Sequence, residues 1–175
     1  MPMPASAQPT SALPLRAGGA AFVLALAAIG GAWYSQLVWG LQPCELCLLQ
    51  RWPYYVGVPL AAIATVAAAG ASGTRRGLTA FLLWLVCLVF LASLGLGIYH
   101  AGVEWGFWAG PGACTGQYVA PGSTDDFLKS LEAGPAVRCD QAAIRILGLS
   151  LAGWNAVVSL VIAASAAAGA RAARS

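Results

Sequence analysis

Residues 77–99 read GLTAFLLWLVCLVFLASLGLGIY, a run without Asp, Glu, Lys or Arg. A bilayer's hydrocarbon layer, about 30 Å thick, is crossed by roughly 20 apolar residues in α-helical form, so this run predicts a membrane span. Three further stretches of the same kind lie at Ala17 to Leu41, Trp52 to Ala71 and Ile146 to Ala170, and none carries a charged side chain. Lipid offers no hydrogen bonds to a bare backbone, and the runs lack the alternating polarity of barrel strands. The reading is an all-α membrane protein, a four-transmembrane-helix bundle. Composition excludes the alternatives: of 175 residues 59% are hydrophobic and 9% charged, where a soluble domain carries about 25% charged residues and disordered chains are poorer in apolar ones. The length leaves room for one integral membrane domain over 1–175, with connections at 42–51, 72–76 and 100–145. Gly30 and Gly31, Gly95 and Gly97, and Ala166 to Gly169 place small residues where helices must approach without a hydrophobic drive.

The tail before the first run is rich in Pro, Ser and Ala, and the apolar stretch after it is about twice a signal-peptide core, which reads as an uncleaved anchor. Four spans put both termini on one side. Arg16, Arg75, Arg76, Arg171 and Arg174 then face Arg51, Lys129, Arg138 and Arg145 across the membrane. The first set sits on far shorter loops, and high positive density marks the cytoplasmic face, so both termini are expected inside and two loops in the periplasm. Trp33, Tyr34 and Trp39, then Trp52, Tyr54 and Tyr55, then Trp105, Phe107 and Trp108 cluster at run ends, as headgroup-level rings do. In the second loop Ser123-Thr124-Asp125-Asp126 precedes Phe127, Leu128 and Leu131, and Gly134-Pro135 follows. That is a capping pattern leading into a short amphipathic helix on the membrane surface. No repeat, phosphate loop or basic nucleic-acid stripe is visible.

Of five cysteines, Cys87 lies mid-span and reads as inert packing. Cys44, Cys47, Cys114 and Cys139 all fall in the outer loops, and an even number on the oxidising side reads as disulfide chemistry. For Cys114 and Cys139 the residues leave a structural and a catalytic disulfide open. The close pair Cys44-Glu45-Leu46-Cys47 closes too small a ring to restrain the chain but holds a second thiol beside the first, favouring redox cycling or metal binding. The second span begins just after it, so Cys47 is expected near a helix N-terminus, with Arg51 one turn on favouring its thiolate. Arg51 alone also reads as a headgroup contact. His100, the single histidine, ends the third span one turn before Glu104, and reads either as an interfacial pair or as a proton carrier. A structural zinc site lacks a second close ligand pair, so no metal is expected.

The run Cys44-Glu45-Leu46-Cys47-Leu48-Leu49-Gln50-Arg51, opening a span, resembles the DsbB family of bacterial disulfide-bond formation proteins. Tyr99-His100-Ala101-Gly102-Val103-Glu104-Trp105 and Gly110-Pro111-Gly112-Ala113-Cys114 are similar to the same family, and the likeness covers nearly the whole chain. The resemblance implies an inner-membrane protein-dithiol:quinone oxidoreductase. Cys114 and Cys139 would form the disulfide that oxidises a periplasmic thioredoxin-fold dithiol protein of DsbA type, and electrons would pass to Cys44 and Cys47. Cys44 would exchange with Cys139, Cys47 would face a membrane quinone (ubiquinone or menaquinone), and Arg51 and His100 would bind that cofactor. Competing readings are a vitamin K epoxide reductase-like thiol oxidase, a CxxC membrane protein holding copper or zinc, and a subunit whose loops are merely stapled by disulfides.

Overall fold

The structure, a computed structural model, describes residues 12–70, 74–112, 114, 123–125, 128 and 137–175. Four long helices dominate: α1 (Leu13–Leu37), α3 (Trp52–Ala69), α4 (Thr74–Glu104) and α5 (Leu151–Ala172), with a one-turn helix α2 (Glu45–Leu49) before α3. All four are long and apolar enough to cross a membrane. The surface helix expected over 123–131 lies outside the described residues, isolated positions apart.

Local chemistry sets the ends. Pro14 and Pro53 stand in the first turns of α1 and α3, where a missing N–H costs nothing. α1 stops at Leu37, four residues before the end of its apolar run, and Gly40 follows with φ +68°. The fourth run also splits. Its first residues form a hairpin of β1 (Arg145–Ile146) and β2 (Leu149–Ser150), turned by Leu147 and Gly148 with φ of 52° and 84°. Positive φ at both central positions matches the twist of paired strands, and Gly148 reaches it without strain. Ser150 then caps α5, its Oγ accepting from Gly153 N at 3.1 Å.

α1 packs on α3 and α5, α4 packs on the same two helices, and α1 and α4 barely touch, so the bundle is a ring with those two on the diagonal. Its interior holds Leu83, Val86, Phe90 and Ile162 among the alanines of α1, α3 and α5. Large apolar side chains such as Val23, Leu26, Val66, Phe81, Leu88 and Leu160 point outward, which suits lipid as the solvent. Gly97 lets α4 and α5 close up: a Cβ there would lie 2.9 Å from Ala156 N. The α1 to α3 connection and the segment after α4 meet at one end, where Cys44, Leu46, Val103, Cys114 and Cys139 form a second buried cluster.

Candidate active site

The cluster is built from loop ends fixed by local bonds. Cys44 is the N-cap of α2: its Sγ accepts the Cys47 backbone N–H at 3.2 Å and lies 2.8 Å from Cys47 Sγ. Beyond α4, Trp108 stacks on Tyr99 and donates from Nε1 to the Tyr99 carbonyl at 2.8 Å, folding the chain back over the helix end. Cys114 and Cys139 are joined in a disulfide, with Cα atoms 5.3 Å apart and Cys139 N donating to Cys114 O at 2.8 Å. The sulfurs of Cys44, Cys114 and Cys139 lie within 4.8 Å of one another, all three residues buried. Cys44 is therefore the pivot between the two pairs. Cys87 sits apart, in the bundle interior.

The reduced close pair is asymmetric. The hydrogen bond from the Cys47 thiol, opposed by burial and helped by His100 and the Cys47 backbone N–H, brings Cys44 down from 9.0 to about 5. The capping position thus favours the thiolate at Cys44, whereas the sequence pointed to Cys47. The reason is register. Cys44 occupies the capping position, where free backbone N–H groups converge, and Cys47 supplies one of them. Arg51 also departs from the expected pairing with Cys47. Its guanidinium donates to Gln36 Oε1 at 2.7 Å and Ala32 O at 3.3 Å, and lies 5.0 Å from the Trp33 ring centroid.

His100 is buried against Cys44, with Nε2 3.7 Å from the sulfur and 3.8 Å from Glu104 Oε1. On its far side Nδ1 meets Gln50 Nε2 at 2.6 Å. From there a polar chain runs into the bundle: Asn155 Nδ2 donates to Gln50 Oε1 at 2.7 Å, Tyr54 OH to Asn155 Oδ1 at 2.6 Å, and Ser159 Oγ to Ser93 Oγ at 2.9 Å. Sequence reasoning missed Gln50, Asn155, Ser93 and Ser159 as site residues. It also placed Tyr54 with the interfacial rings, whereas Tyr54 is buried and its neighbours Trp52 and Tyr55 face outward. An amide inside an apolar run, as at Asn155, is the signal that was available.

A cavity of about 420 Å³ opens beside the cluster, walled by α1, α3 and α5. Ala28, Ala32, Trp154 and Val158 line its apolar flank; Cys47, Gln50, Arg51, His100 and Asn155 line its polar end, and none of the described lining residues is acidic. Cys44 is outside it. A quinone is a flat apolar ring with two acceptor carbonyls, and an apolar slot ending in amide and guanidinium donors beside a cysteine suits that chemistry.

Residues 16–169 match the family described as disulfide bond formation protein DsbB. Disulfide bond formation protein B 1 of Pseudomonas fluorescens (strain Pf0-1) is 37% identical over 80% of this chain and 79% of its own. The protein of the same name from Pseudomonas savastanoi pv. phaseolicola is 40% identical over 81% and 80%. Disulfide bond formation protein B of Ralstonia nicotianae is 32% identical over 81% and 84%. No solved structure matches the chain at a significant level. Spans, buried sulfur cluster and family match agree: the chain belongs to the DsbB family, membrane-embedded oxidoreductases that form disulfide bonds.

Proposed function

We propose that this protein oxidises a periplasmic thioredoxin-fold dithiol protein of DsbA type and delivers the electrons to a membrane quinone. One observation carries the reading: Cys44 Sγ lies within 4.8 Å of both sulfurs of the Cys114 and Cys139 disulfide, while Cys47, 2.8 Å from it, lines the apolar cavity. The cysteine end of the bundle then faces the periplasm, and the termini face the cytoplasm. In that orientation a soluble partner reaches the loop pair and a lipid-dissolved molecule reaches the slot.

The chemistry is two disulfide exchanges in series. A partner thiolate attacks the disulfide of Cys114 and Cys139; the sulfur bond breaks, and the partner's second thiolate closes its own disulfide, leaving two loop thiols. Cys139 as thiolate then attacks Cys44, the bond between Cys44 and Cys47 breaks, and Cys47 leaves as a thiolate on the cavity wall. Attack by Cys114 on Cys139 restores the loop disulfide and leaves Cys44 and Cys47 reduced. Each exchange conserves two electrons, and about 30 mV shifts its balance by only about 1.4 kcal/mol, so direction has to come from the last acceptor. A quinone in the cavity supplies that sink, taking up two electrons and two protons. Arg51 and Gln50 would hold its ring oxygens, with His100 and Asn155 orienting Gln50 behind them, and the apolar flank keeps water from Cys47.

The test is anaerobic mixing of purified protein in lipid nanodiscs with a reduced thioredoxin-fold dithiol protein and a short-chain ubiquinone or menaquinone. Stoichiometric loss of partner thiols with reduction of the quinone is expected. Thiol loss independent of quinone, or protein purified with one equivalent of copper or zinc on Cys44, Cys47 and His100, would overturn the reading.

A further inference from the structure

His100 is the only histidine in the chain, and its hydrogen-bond chain has a direction that can be followed from one end. In α5, Asn155 lies 3.4 Å from the main-chain carbonyl of Ser93. A carbonyl oxygen only accepts, so the Asn155 atom facing it is the amide nitrogen. That nitrogen also donates to Gln50 at 2.7 Å, which makes the receiving atom Gln50 Oε1. Tyr54 OH, donating at 2.6 Å to the other side of the Asn155 amide, agrees with the same orientation. Gln50 is then left with its nitrogen toward His100 Nδ1, at 2.6 Å. An NH₂ group has only protons to offer, so Nδ1 must be the accepting nitrogen and the proton of the neutral ring sits on Nε2. Nε2 is the atom that faces Cys44 Sγ at 3.7 Å and Glu104 Oε1 at 3.8 Å.

We propose that Asn155 and Gln50 are positioning residues that hold His100 in its Nε2–H tautomer, making it a fixed hydrogen-bond donor to the Cys44 sulfur, with the Glu104 carboxylate alongside, rather than a base for the thiol proton. The groups that bear on the ring are Cys44 and Cys47 at α2, Gln50 just after it, Arg51 across the cavity, and Glu104 on α4 itself. None of them is an acceptor placed at Nδ1, so nothing competes with Gln50 there among the described residues. A donor at Nε2 stabilises the anion that thiol exchange needs; an unprotonated Nε2 would face that anion with a lone pair. The catalytic meaning of this arrangement rests on the proposed exchange role of Cys44 and Cys47. The tautomer itself does not.

A single histidine makes the test direct. The full chain is labelled with [¹⁵N]histidine, placed in nanodiscs with the close pair reduced, and the two ring nitrogens are read by ¹H–¹⁵N correlation at pH 7. The expected spectrum has a protonated Nε2 and an unprotonated Nδ1. Asn155→Asp offers only acceptors to Gln50, which turns its carbonyl toward the ring, so the proton should appear on Nδ1. Gln50→Glu places an acceptor at Nδ1 directly and should do the same. Tyr54→Phe leaves the Ser93 carbonyl in place and should keep the wild-type pattern. A wild-type ring with its proton on Nδ1, or both acidic variants keeping the wild-type tautomer, would overturn the proposal. Loss of quinone-dependent turnover in the mixing assay, by contrast, bears on the exchange reading and leaves the tautomer result standing.

Discussion

Toward the terminal end of the bundle the helices meet through Ala21, Ala25, Ala61, Ala64, Leu83 and Ala166, all buried. Toward the cysteine end they meet through Tyr54, Ser93, Asn155 and Ser159, continued by Gln50 and His100. The same four helices therefore use two kinds of adhesion. In lipid there is little hydrophobic gain from bringing apolar helices together, so the first half relies on close contact of small side chains. The second half relies on hydrogen bonds, individually worth only about 0.6 to 2 kcal/mol between membrane helices, but each with a donor and an acceptor end. Packing sets distances; the bonds set which atom faces which. Chemistry that depends on protons and thiolates belongs in the second half, and Cys44, Cys47, Cys114 and Cys139 are there.

The sharpest way to break this division is to touch the sulfurs. Cys44→Ser and Cys47→Ser should each lower quinone-dependent turnover roughly a thousandfold or more while leaving the helical circular dichroism and unfolding midpoint near wild type. Turnover surviving in either would place the chemistry elsewhere. Leu83→Ala, in the packed half, should do the reverse: a loss of about 2 to 5 kcal/mol in detergent-unfolding stability, with turnover per folded molecule within twofold of wild type. Arg51→Ala should raise the apparent KM for quinone about tenfold, and Arg51→Lys should restore little of it, because one ammonium cannot serve Gln36 and Ala32 together as the guanidinium fork does. An unchanged KM would leave Arg51 a purely structural tie between α1 and α3.

The pH dependence sharpens the asymmetry within the close pair. Lowering Cys44 from 9.0 to about 5 means that it is ionised across neutral pH and becomes protonated only as pH falls through that value. In the reduced protein, alkylation at Cys44 by iodoacetamide, followed by mass spectrometry, should stay flat from pH 8 to 6 and fall about tenfold per unit below pH 5. A midpoint near 8 or 9 would remove the case for Cys44 as the thiolate. The smallest effect is expected at Cys87→Ser, buried in the packed half and distant from the cluster: turnover within twofold of wild type, measured in the same assay.

The spans were legible because charge-free runs of this length have almost no other use, and the four loop cysteines because their spacing and expected side of the membrane narrow the chemistry. Helix ends were less so. The fourth run looks uniform from Ile146, yet Leu147 and Gly148 turn it into a hairpin, a backbone property that hydropathy does not see. The site's second layer was hidden for a different reason. Tyr54, Ser93, Asn155 and Ser159 come from three helices and become a network only when those helices are placed, so no local spacing announces them. The direction of the Cys44 and Cys47 asymmetry likewise hung on where the helix begins: α2 starts at Glu45, inside the pair, and leaves Cys44 in the capping position.

Gly97 stands three residues before His100, and Ala156, the backbone it rests against, is the neighbour of Asn155. The bare α-carbon at that crossing consequently acts as a gauge for everything above it. Any side chain there, even a single methyl, would wedge α4 from α5 at the level where Asn155 must reach both the Ser93 carbonyl and Gln50. Contacts of 2.6 to 2.7 Å have no slack to absorb such a displacement. The hydrogen that serves Gly97 as a side chain is thus as much a condition of that network as the residues that form it.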